Sequence, residues 1–75
     1  MPHIIVKLWP GQSEEAKQKL AEQIVANSME TLCYGADSLS VAFEEIESRD
    51  WKDKVYLPDI VEKEGQLYKK PGYKM

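Results

Sequence analysis

The chain of 75 residues has one cysteine, Cys33, one histidine, His3, one phenylalanine and one arginine, Arg49. A lone cysteine excludes an internal disulfide. One histidine and one cysteine far apart do not supply the four ligands of a structural zinc site, and no motif asks for a metal or an organic cofactor. The nine lysines are scattered and the formal net charge is −3, so the basic stripe that nucleic-acid binding needs is missing. No apolar run approaches the roughly 20 residues of a membrane-spanning helix. The first residues lack the charged-then-apolar order of a secretory signal. These absences lead to the expectation of a cytoplasmic protein with neither a membrane nor a nucleic acid as partner.

Shortness carries its own implication. A domain of this size buries only about 60% of the surface that its unfolded chain exposes. Small scaffolds add disulfides, a metal or a partner subunit. With the first two lacking, oligomerisation is the remaining route, and a content of 43% hydrophobic residues can supply an interface. There is no linker, repeat or low-complexity stretch, so residues 1–75 are expected to form a single domain.

What is present is ordered. Residues 3–9 alternate, with Ile4, Val6 and Leu8 on one face and His3, Ile5, Lys7 and Trp9 on the other, the pattern of a strand. Pro10-Gly11 is a turn signal. Ser13 offers an N-cap, and Glu14 and Glu15 place negative charge in a first helical turn. Leu20, Ala21, Ile24, Val25, Ser28 and Leu32 follow the helical period and predict one buried face. The helix is expected over 13–34, with Gly35 as its stop and Cys33 as a small packing residue in its last turn. Residues 39–46 read as a second strand, with Leu39, Val41 and Phe43 on one side. Strand, helix and strand make an α/β unit of βαβ type, whose strands run parallel. Two strands and one helix leave a face and both edges uncovered. The last third predicts a short helix over 51–56 and a second one opened by Pro58 at its first position. Lys69-Lys70-Pro71-Gly72-Tyr73 reads as a turn and a tail.

Pro2 is the residue with unusual chemistry. Methionine aminopeptidase removes an initiator methionine readily when proline follows. Pro2 would then become a free secondary amine, whereas inside the chain its nitrogen is an amide that takes up no proton at neutral pH. An α-amino group titrates near ~7.7–8.0, and an apolar pocket or a nearby cation lowers that value. A base poised near the working pH suits proton transfer.

The start Met-Pro-His-Ile, the turn and helix start Pro-Gly-Gln-Ser-Glu-Glu, the strand Ser-Leu-Ser-Val-Ala-Phe-Glu-Glu-Ile and Trp51 after it together resemble the 4-oxalocrotonate tautomerase family. The tail Lys-Lys-Pro-Gly-Tyr is similar to that of a subgroup of slightly longer tautomerases that form homodimers rather than hexamers. The resemblance implies a βαβ fold with a short C-terminal segment, its sheet completed by oligomerisation as a homodimer or, failing that, a hexamer. It implies an isomerase that interconverts small enols and keto acids without cofactor or metal, with Pro2 as the general base. Trp51 falls where the family has an aromatic pocket wall, although a tryptophan there can equally plug a core. The two substrate-binding arginines of the family fall on Gln12 and Ser40, which carry no charge. Arg49 is the available substitute, with a solvated surface charge as its ordinary alternative. A monocarboxylate substrate follows, because an arginine fork is what grips a second carboxylate. The alternative is a member that binds small carboxylates, or serves as a structural homodimer, without efficient turnover. His3 is expected to be structural or interfacial, since successive strand side chains face opposite ways.

Overall fold

The computed structural model describes residues 1–75. They form two compact units, Met1–Glu45 and Ile46–Met75.

The first unit is the expected βαβ arrangement. Strand β1 is His3–Leu8, helix α1 is Glu14–Leu32 and strand β2 is Ser40–Glu45. The strands pair in parallel with His3 opposite Ser40, Val6 opposite Phe43 and Leu8 opposite Glu45. Alternation sets the faces: Ile4, Val6 and Leu8 are half-buried, whereas Ile5 and Trp9 are 48% and 56% exposed. Gly11 turns the chain at φ 121°, a conformation that a side chain would strain. Ser13 then caps α1, its hydroxyl accepting the N–H of Ala16 at 3.0 Å. Only this half of a capping box forms, because Ala16 has no side chain to reach back.

The other end of α1 corrects the expectation. The helix stops at Cys33, not Gly35: Cys33 adopts φ 61°, ψ 33° and donates its N–H to the Met29 carbonyl at 3.0 Å. Cys33 is therefore an exposed cap residue in a left-handed conformation and not a packing residue. The chain thus leaves the helix two residues before the glycine, with the left-handed cap placed on a residue that carries a side chain.

The face of α1 packs against β2, yet no residue of the helix is fully buried. Leu20 and Leu32 remain 41% and 52% exposed. Geometry explains Leu32. A helix of 19 residues is about 28 Å long, whereas strands of six residues span about 20 Å. The helix overhangs the strands. Each strand has a single neighbour, so both edges of the sheet lack a strand partner.

The second unit holds the two buried hydrophobic residues of the chain, Val55 and Tyr56. It runs from a 3-10 turn, Ser48–Asp50, into a π-helix, Lys52–Val61, and a second 3-10 turn, Glu64–Gln66. Pro58 does not open a new helix; it lies inside this one. In an α-helix its ring would strike the carbonyl four residues back. In a π-helix the bonds reach five residues back, as from Glu62 N–H to the Leu57 carbonyl at 3.0 Å, and the wider turn admits the ring. Lys54–Asp50 and Lys63–Asp59 pairs at 3.8 and 3.7 Å lie along it. No helix is long and apolar enough to cross a membrane.

Candidate active site

Parallel pairing brings the amino-terminal ends of β1 and β2 together. Pro2 lies there, half-buried, behind a Met1 that is 93% exposed. Its carbonyl accepts the N–H of Ser40 at 3.3 Å, which carries the ladder one residue beyond β1. His3 and Ser40 are register partners, so their side chains share a face of the sheet. Their side chains meet, His3 Nδ1 lying 2.6 Å from Ser40 Oγ. Ser40 thus meets Pro2 through its backbone N–H and His3 through its side chain.

Gln12 is elsewhere. It follows the carboxyl end of β1, and a six-residue strand separates it from Pro2 by about 20 Å. Gln12 lines a groove of about 320 Å³ with Leu8, Ala16, Lys17, Leu20 and Phe43. The lysine in that groove is already engaged. Lys17 Nζ is 2.8 Å from Glu14 and 3.7 Å from Glu45. The hydrogen bond to Glu14 raises its pKa above the ordinary lysine value, and Glu45 adds to the effect while desolvation opposes it. A cation satisfied by two carboxylates is a poor receptor for a third.

Arg49 and Trp51 belong to the second unit. Arg49 is exposed on the 3-10 turn, and Trp51 is half-buried. The Trp51 Nε1–H donates to the hydroxyl of Tyr73 at 3.0 Å. The Tyr73 ring lies against Tyr56 with centroids 5.7 Å apart. Tyr56 and Tyr73 also line a groove of about 290 Å³ with Ile60, Leu67 and Pro71, and the Lys70–Glu64 pair at 3.2 Å is part of its lining. Sequence alone marks Tyr73 only as a tail aromatic; nothing in the spacing tells that its hydroxyl accepts the Trp51 N–H. The His3–Ser40 bond was equally hidden, since it depends on strand register. No group of three or more His, Cys, Asp or Glu side chains is placed to hold a metal ion.

A parallel βαβ unit with proline beside its paired strand ends is the arrangement of small α/β tautomerases. The comparisons agree. The family described as "Tautomerase enzyme" matches residues 2–52. The chain is 49% identical over 74 residues to Tautomerase PptA of Pectobacterium carotovorum, covering 97% of each chain. It is 44% identical over 73 residues to a probable tautomerase of Xylella fastidiosa, covering 97% of this chain and 89% of that one. Among solved structures, TomN, a 4-oxalocrotonate tautomerase homologue of the tomaymycin biosynthetic pathway, superposes with a TM-score of 0.65 at 28% identity, over 85% of this chain and 95% of that one. The chain belongs to the tautomerase family of 4-oxalocrotonate tautomerase relatives, and it is an isomerase of tautomerase type.

Proposed function

We propose that Met1 is removed and that the freed Pro2 amine is the general base of an enol–keto tautomerisation. The unprotonated amine accepts the proton of the enol hydroxyl. The electron pair moves through the conjugated system, and a proton returns to carbon, so nothing is oxidised or reduced and no cofactor is called for. The substrate is a small enol or α-keto acid with one carboxylate and an apolar portion. Ser40 and Gln12 supply uncharged donors, Arg49 supplies the charge that the family's arginines would bring, and Trp51 supplies an apolar wall.

The observation that carries this proposal is the hydrogen bond from Ser40 to the Pro2 carbonyl. It fixes the proline through its own backbone while leaving the ring nitrogen to chemistry. The separation of Gln12 from Pro2 along β1 supports a further element. A site that uses both residues must draw them from two chains. A homodimer is the assembly proposed, with a hexamer as the larger alternative. The exposed Ile5, Trp9, Leu20 and Leu32 and the two unpaired strand edges support association.

The test is kinetic. Processed protein is expected to ketonise phenylenolpyruvate, Pro2→Ala to lose most of that rate, and protein that keeps Met1 to lose at least as much. A residual rate in Pro2→Ala is expected, since a primary amine remains. Equal rates for Pro2→Ala and wild type would overturn the base assignment.

A further inference from the structure

We infer that His3 is a positioning residue that turns the Ser40 hydroxyl into an outward hydrogen-bond donor for a carboxylate or enolate oxygen of the substrate. The inference rests on the proposed role of the Pro2 end of the sheet as the site. Three features carry it: register pairing puts His3 and Ser40 on one face, their side chains approach to 2.6 Å, and the same Ser40 holds the Pro2 carbonyl through its backbone.

The proton bookkeeping selects one arrangement of the pair. A hydroxyl has one proton and two lone pairs. If Ser40 donated that proton to Nδ1, only lone pairs would face a substrate oxygen, and lone pair would meet lone pair. If Nδ1–H donates to Oγ, the hydroxyl proton is free to point outward, and accepting the first bond polarises it toward making the second. A carboxylate or enolate, which only accepts, therefore favours the Nδ1–H tautomer. The neutral Ser40 gains in this way part of the directionality that an arginine would have supplied at that position. Charge is not restored, which fits a site for a single carboxylate.

The experiment is a double-mutant cycle on the processed full-length protein, with phenylenolpyruvate as the probe. Ser40→Ala and His3→Ala are each expected to raise KM roughly threefold to tenfold, the worth of one hydrogen bond. The double variant is expected to be no worse than Ser40→Ala, because both changes remove the same donor. His3→Asn should restore KM, since its side-chain amide nitrogen can occupy the place of Nδ1. His3→Gln, whose amide lies one bond further out, should not. A purely structural histidine would lower the melting temperature in all three variants without this Asn–Gln split. Multiplicative effects of the two alanine substitutions, or an unchanged KM in His3→Ala, would overturn the inference, as would equal rescue by Asn and Gln. Failure of the base assignment is read separately, in the kcat of Pro2→Ala.

Discussion

Cys33 closes helix α1 at φ 61°, ψ 33°, a region in which an L-residue brings its Cβ against the neighbouring carbonyl. That contact costs about 1–2 kcal/mol. Glycine has no Cβ and removes it, but a glycine also gives the unfolded chain more freedom, a penalty of roughly 0.5–1 kcal/mol. Because the side chain of Cys33 is exposed, its loss removes little packing. Cys33→Gly should therefore stabilise the protein by about 0.5–1 kcal/mol, which for a chain this short raises Tm by roughly 2–8 °C. Cys33→Ala keeps the Cβ and loses the same thiol. It should remain within about 0.5 kcal/mol of wild type. Thermal unfolding by circular dichroism, at one fixed protein concentration so that any association contributes equally, separates the two. If Cys33→Gly melted no higher than Cys33→Ala, backbone strain would not be the property that matters at this cap.

Three further outcomes are expected. Activity on 4-oxalocrotonate, a dicarboxylate, should be weak relative to phenylenolpyruvate, and Gln12→Arg should raise it about tenfold to a hundredfold, the worth of a charge-assisted contact; equal wild-type specificity constants for the two substrates would refute this. Tyr73→Phe keeps the ring against Tyr56 but removes the acceptor of the Trp51 N–H, so it should destabilise by about 1 kcal/mol and shift the tryptophan emission, whereas an unchanged spectrum and Tm would show that the bond does not hold the tail. Sedimentation equilibrium at micromolar concentration should give a multiple of the 8.6 kDa chain, with a Tm that rises with protein concentration; a folded monomer would remove the proposed assembly, and a hexamer would remove the dimer alone.

The βαβ unit was legible because period and punctuation agreed. Ile4, Val6 and Leu8 alternate, Ser13 marks the helix start, and Leu39, Val41 and Phe43 alternate again. The apolar stripe of α1 proved a poorer guide to depth. Periodicity tells which side of a helix is to be covered, not how much of it one short chain can cover, so Leu20 and Leu32 are on the right side yet exposed. Punctuation misled where two rules competed. Gly35 marked a stop that Cys33 makes earlier, and Pro58 marked a helix start where a π-helix runs through. For the site, the position of Pro2 after Met1 is what raises the proposal of a free amine there. The bond of Pro2 to Ser40 was not readable, because a parallel register depends on how a nineteen-residue helix returns the chain. The distance between Gln12 and Pro2, by contrast, follows from the length of β1 alone, which the alternation over residues 3–9 already indicated.

Chain termini ordinarily fray, and a reactive group at the very end of a chain would have to be immobilised at every encounter with a substrate. Here the sheet is stitched as far as Pro2 by the Ser40 amide. For the proposed Pro2 base, the freedom of the chain end would therefore be given up once, when the strands pair, and not again in each catalytic cycle. Orientation of a reacting group is among the larger contributions that a protein can make to a rate. With Pro2 in its proposed role, that orientation comes from an ordinary ladder bond between two backbones, a contribution that no side-chain substitution removes directly and that a slip of β1 against β2 would abolish.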